Sequence, residues 1–180
     1  MSVIAYSHDG PNAGQARGVV FIHSCPRAVS THVEWALAKV LKTDAGAFTI
    51  EWAQQVVEPN SVRAEIMWQG SPGMGAQLAS ALLAFSQIRY EVTEDASTGK
   101  EGERFAVTPT LGLFRASIGQ HGDVMIHEDR LRNLITQSDA TGELMTTELL
   151  RLLGQPWDAE LEAFRVAHAD SNVRVLHHVS

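Results

Sequence analysis

His23-Ser24-Cys25-Pro26-Arg27 gathers an imidazole, a hydroxyl, a thiol and a guanidinium into five positions. The run lies where an apolar stretch, Gly18 to Ser24, gives way to a helical pattern. A strand end that meets a helix N-terminus collects anions, because unpaired N–H groups and the helix dipole converge there. Arg27 would add a planar fork suited to a carboxylate or phosphate. Cys25 in such a field could act as a nucleophile. The plainer alternative is a capped turn, in which Ser24 bonds the backbone, Cys25 packs as a small hydrophobe and Arg27 pairs with a surface acid.

A second constellation follows from period two. If Val20, Ile22, Ile50, Ile66, Trp68 and Tyr90 face the helices, then Val19, Phe21, His23, Glu51, Arg63, Glu65, Met67, Gln69, Arg89 and Glu91 face the other way. A histidine beside paired carboxylates could do acid–base chemistry, although two acids and two arginines also make cross-strand ion pairs on a half-covered face. His121-Gly122-Asp123 with His127 has the side chains of a metal site but no standard metal spacing, and a Gly-Asp turn before a helix explains it as well. His177 and His178 are adjacent on an expected strand and so point to opposite faces. The chain has no Walker loop, dinucleotide glycine fingerprint, G-x-S-x-G elbow or H-E-x-x-H helix, and no cofactor or metal is expected.

These residues need elements to hold them. Residues 1–16 read as a flexible leader, since Ser7 to Arg17 is polar and aperiodic. Gly18 to Ser24 reads as a strand covered on both faces. Val29, Val33, Leu37, Val40 and Leu41 then recur at helical spacing, with Thr31 and Glu34 as a capping box or Ser30 as N-cap. Phe48–Trp52 and Val62–Trp68 alternate as a hairpin across the Glu58-Pro59-Asn60 turn. A helix follows, with Ser71 as N-cap and Pro72 at its first position, and then a strand through Ile88, Tyr90 and Val92. Strand, helix, strand, strand, helix, strand is the order of a ferredoxin-like split βαβ unit, an α+β fold. Beyond it come strands at Arg104–Val107 and Leu111–Ile118, helices around Leu131–Ile135, after Thr141 and from Trp157, and a closing strand at Val173–Val179. The expected organisation is one α+β domain over 17–180, ferredoxin-like over about 17–95 and extended over about 100–180.

Charge narrows the partners. Fourteen basic against twenty-one acidic residues leave a net −7 at pH 7, which disfavours nucleic acid and anionic lipid surfaces. Arginine supplies 11 of those 14 cations, and planar forks suit carboxylate or phosphate recognition. The single cysteine excludes an internal disulfide framework. No stretch is apolar enough to span a bilayer and no secretory pattern opens the chain, so a cytoplasmic location is expected.

Several motifs together carry a resemblance. His23-Ser24-Cys25-Pro26-Arg27-Ala28, His32-Val33-Glu34-Trp35, Trp68-Gln69-Gly70, Leu78-Ala79-Ser80-Ala81-Leu82, Glu101-Gly102-Glu103-Arg104, Thr108-Pro109, His121-Gly122-Asp123, Glu128-Asp129-Arg130-Leu131-Arg132 and Leu153-Gly154-Gln155-Pro156-Trp157-Asp158 resemble an actinobacterial family known only as domain of unknown function 3145. The likeness spans about Arg17 to Val179. Two positions depart from it: Cys25 stands where a small residue is usual, which weakens a nucleophile, and Thr31 where proline is expected. The resemblance implies no activity; that some members lie near fatty-acid biosynthesis genes links it by association to that metabolism.

The resulting expectation is a binding or regulatory protein for a small anionic metabolite. Its site would gather His23, Ser24 and Arg27 with Trp68, Gln69 and Gly70, Arg104, and the His121–Asp123 loop. An acid–base hydrolase or lyase using His23 or His121 is the enzyme alternative. An interaction subunit docking through an edge strand or the Trp35 and Trp157 surfaces is the third.

Overall fold

The computed structural model describes residues 3–6, 15–43, 48–97, 99–137 and 143–176. In chain order the elements are β1 (Val3–Tyr6), β2 (Ala16–Pro26), α1 (Ser30–Leu41), β3 (Ala53–Gln54), β4 (Ser61–Gly70), α2 (Met74–Leu82), β5 (Arg89–Glu94), β6 (Gly102–Thr108), β7 (Gly112–Ile118), β8 (Val124–Met125), α3 (Glu128–Gln137), α4 (Glu143–Leu152) and α5 (Gln155–Leu176). The fold is α+β. Among the described residues the strands form one sheet in the order β1-β4-β2-β5-β6-β7-β8, with β3 also on β4. Every pairing is antiparallel except β1 with β4.

Cross-strand register assigns the two faces. Val20 stands opposite Ile66 and Val92, and Ile22 opposite Tyr90. These side chains form one core with Val33, Leu37 and Leu41 of α1 and Met74, Leu78 and Leu82 of α2. Burying each such side chain is worth about 1.5–3 kcal/mol. The other face carries Phe21 opposite Glu65 and Glu91, then Ala106 and Phe114. Here α5 packs its Trp157 and Leu161 on Ala106, Phe114 and Ala116. The Trp157 indole N–H donates to the Gly112 carbonyl at 2.9 Å. Gly154, at φ +83°, turns the chain from α4 into α5, where any Cβ would come within 2.7 Å of the Phe114 ring.

Several expectations are corrected. Residues 3–6 are not an unstructured leader: Val3–Tyr6 pairs in parallel with Ile66–Gln69, and β2 already begins at Ala16. A four-residue apolar run gains a strand only from an edge some sixty positions away, which local pattern cannot show. Residues 7–14 lie outside the described residues. Val173–Leu176 is helical, not a strand. Valines favour strands, but no Gly or Pro interrupts the chain after Pro156, and extending a formed helix is easier than starting a strand. His177, His178 and the Thr141 cap lie outside the described residues. The hairpin is reduced to Ala53 and Gln54 against Arg63 and Val62.

Neither helix is capped as expected. Glu34 accepts from the Ile50 amide at 3.1 Å and the Trp52 indole at 2.8 Å, tying α1 to the segment before β3 instead of closing its own first turn. The N-cap of α2 is Gly73, with no side-chain cap of its own. Glu94 of β5 serves instead, accepting from the Gly73 and Gly75 amides at 2.9 and 3.0 Å and from the Lys100 ammonium at 2.9 Å. Burial would raise the Glu94 pKa, but these bonds outweigh it and hold it below the usual range.

Candidate functional site

The site begins with an irregularity in β2. Against β4 the register passes from Ile22–Ala64 to Cys25–Val62, and against β5 from Ile22–Tyr90 to Ser24–Arg89. One extra residue is thus accommodated at His23–Ser24, and a bulge breaks the alternation of side chains. Both side chains reach groups on the α5 side: His23 meets Glu91, and the Ser24 hydroxyl donates to Glu58. Gln55, 1% exposed, braces the bulge by donating to the His23 carbonyl at 2.5 Å and accepting from the Val57 amide at 2.9 Å.

Glu91 is the centre of the polar cluster and is itself buried, at 7% exposure. Its Oε2 lies 2.7 Å from His23 Nε2 and accepts from Arg165 Nε at 3.1 Å. Its Oε1 accepts from Arg104 at 2.6 Å and Arg165 at 2.7 Å. Asp158, one turn into α5, receives the same two guanidiniums at 2.6 and 2.8 Å. Beside this group Arg89 bridges Glu58 at 3.2 Å and Glu160 at 3.4 Å, and lies 4.9 Å over the Phe164 ring. Glu160 also accepts from the Thr108 hydroxyl at 2.8 Å. The sheet and α5 are therefore joined by charge-assisted bonds as well as by apolar packing.

Burial by itself would push the Glu91 carboxyl up. The hydrogen bonds from His23 and Arg165 and the charge of Arg104 outweigh that, holding it far below the ordinary glutamate value of 4.5. A depressed folded pKa contributes stability that is full above the unfolded value and is lost as pH falls through the folded one. The stability difference between wild type and Glu91→Gln should therefore shrink as pH drops from about 6 to about 3. Urea unfolding at several pH values measures it, and a constant difference would count against the assignment.

A cavity of ≈ 250 Å³ opens beside the cluster. Phe21, Ile22, Ala64 and Phe164 form its apolar wall; His23, Arg63, Glu65, Glu91 and Arg165 form its polar wall. Burial draws the Arg63 guanidinium below its ordinary range.

The expected site residues divide. His23 and Arg104 meet on Glu91, with Ser24 on the neighbouring carboxylate. Arg27 stands exposed in a short 3-10 turn that leads directly into α1, and its amide donates to the Asn60 carbonyl at 3.1 Å. Trp68 is 1% exposed and points to the opposite face, where α2 covers it. Gln69 lies with Arg17 and Asp95 in a separate cavity, and Gly70 ends β4. His121 and Asp123 are exposed in the β7–β8 turn. Among the described residues no three His, Cys, Asp or Glu side chains are placed to hold a metal. Cys25 is fully buried and its thiol is pushed up to about 12 by burial, which removes the physical basis for a nucleophile. Trp157, at 4% exposure, has no free surface for a partner, whereas Trp35 is 53% exposed.

The pairs made by Arg89 and Glu91 are longer-range than cross-strand neighbours would give: Arg89 with Glu58 and Glu160, and Glu91 with Arg104 and Arg165. Asp158, Glu160, Phe164, Arg165, Glu58 and Gln55 escaped the sequence reading. One signal was available: Trp157, Leu161 and Phe164 recur at helical spacing, and Asp158 and Arg165 flank that stripe on the same side.

Residues 19–178 match the family model described as Protein of unknown function (DUF3145). No curated protein and no solved structure matches the chain. Among the described residues no helix is long and apolar enough to cross a membrane.

Proposed function

Because the chain belongs to the DUF3145 family, whose description carries no activity, we propose a function from the cavity itself: a cytoplasmic binding protein for a small carboxylate with an apolar body. One observation carries it. The cavity has an apolar wall of Phe21, Ile22, Ala64 and Phe164 and a polar one in which the Arg63 and Arg165 guanidiniums stand with Glu65, Glu91 and the buried His23. Pockets of this composition hold an apolar body by burial and orient it by a few polar groups. At ≈ 250 Å³ it suits a metabolite smaller than a typical drug. The strand order β3-β4-β2-β5, with α1 and α2 in one core, supports reading residues 17–95 as the ferredoxin-like unit, and a continuous β5–β6 pairing supports 100–180 as its extension. Such units often serve as ligand-sensing modules, an analogy of fold alone.

The test is a thermal-shift screen of small carboxylates against their neutral amides, on wild type and on Arg63→Met. A charge-assisted pair to a desolvated guanidinium is worth about 1.5–3 kcal/mol, so affinity for the acids should fall by about tenfold or more in the variant. Amides that bind as tightly as acids would sink the proposal. Acid–base catalysis is the second reading, favoured by the His23–Glu91 pair 2.7 Å apart on the cavity wall. Turnover of a bound acid, in place of its recovery unchanged, would distinguish the two.

A further inference from the structure

We propose that His23 selects the ligand as a hydrogen-bond acceptor, so that the cavity takes hydroxycarboxylates whose hydroxyl lies within a carbon or two of the acid. The inference rests on the binding reading above and adds the class of ligand. Its starting point is the 2.7 Å contact between His23 Nε2 and Glu91 Oε2. Arg104 and Arg165 both bond the same carboxylate, which keeps it ionised. An ionised carboxylate can only accept. In the neutral imidazole the single N–H must therefore sit on Nε2, pointing at Glu91. Nδ1 is left with a lone pair.

Among the described residues, the ring hydrogen bond of His23 is made through Nε2 to Glu91, and the Gln55 contact goes to its backbone carbonyl. Phe21 stacks on the ring, with centroids 6.1 Å apart, and offers Nδ1 no donor. His23 forms part of the cavity wall, so a molecule held in the cavity is placed to supply a donor to Nδ1. Carbonyl-only or fully apolar ligands cannot supply one; a hydroxyl can.

Position sets the spacing between hydroxyl and acid. Arg63 lies on β4 between Val62, paired with Cys25, and Ala64, paired with Ile22, and so stands directly across from the bulge. Both residues line the same ≈ 250 Å³ cavity, so a small ligand that brings its carboxylate to Arg63 and a donor to His23 carries the two groups within a few bonds of each other. Its remaining carbons extend between Phe21 and Phe164.

Two measurements on the full chain test this. Long-range ¹⁵N–¹H correlation of the labelled protein at about pH 8 should show His23 with its proton on Nε2. A proton on Nδ1 overturns the proposal whatever binds. Calorimetry then compares mandelate with phenylacetate and 3-hydroxybutyrate with butyrate. The hydroxy acid of each pair should bind about tenfold tighter or better, and its binding should move the Nδ1 resonance. Equal affinities within both pairs overturn the role of His23 while leaving the carboxylate reading intact. If none of the four acids binds, the carboxylate reading fails and this inference falls with it.

Discussion

Glu91→Ala should cost about 3–5 kcal/mol of unfolding free energy, the usual range when one partner of a buried ion pair is removed. Glu91 is 7% exposed and satisfies His23, Arg104 and Arg165 at once. Alanine would leave the two guanidiniums sharing Asp158, with Glu162 3.7 Å from Arg165. Urea denaturation with an unchanged m-value measures the loss, and one below about 1 kcal/mol would show that water already reaches the cluster. Replacing Glu91 and both guanidiniums by apolar residues, Glu91→Leu with Arg104→Met and Arg165→Met, should cost less than the single change, because the acid left behind, Asp158, is 38% exposed and stays hydrated. Paired burial of charge returns little net stability, while an orphaned charge is costly. If the triple variant is as unstable as the single one, Glu91 has a packing role that the ion pairs do not explain.

Trp157→Ala is expected to cost about 3–5 kcal/mol as well, and to abolish ligand binding. The indole fills the seam between α5 and β7, 5.1 Å from the Phe114 ring, with its N–H on Gly112. Phe164 and Arg165, which wall the cavity, lie two helical turns further along α5. Loosening the first turn therefore displaces the wall. Leu37→Ala is the control: Leu37 is fully buried under α1 on the opposite face, and its loss should cost a similar amount, about 2–5 kcal/mol, without touching the cavity. Equal loss of binding in both variants, at temperatures where both remain folded, would show that α5 has no special part in the site.

Much of the architecture was legible before any tertiary contact was known. Tyr90 and Val92 alternate with Arg89, Glu91 and Thr93, the period that burial on one face of a sheet demands, while Val20 and Ile22 sit in an apolar run that fits a strand covered on both faces. Val33, Leu37 and Leu41, then Leu78 and Leu82, repeat at the helical period for the same reason. The placing of His23, Arg63, Glu65 and Glu91 on the face away from those helices followed from parity alone, and the cavity lies on that face. Family membership too was contained in the residues, since the motifs resembling it run from about 17 to 179 and the match covers 19–178.

What tertiary structure alone decided is which charges meet. Glu91 could pair with Arg89 or Arg63 by proximity in sequence or sheet. It pairs instead with Arg104 across the β5–β6 ladder and with Arg165, 74 positions away, because α5 docks there. That docking depends on Trp157 and Leu161 finding Phe114, Ala106 and Ala116, a fit of shapes that no local period encodes. The bulge at His23–Ser24 was equally hidden. An extra residue in one strand shows only against its partners, and it is this insertion that turns Ser24 toward the same side as His23. Local preferences choose elements within a few residues of one another. Ion pairs and cavities depend on the positions of whole elements, which packing sets after those choices are made.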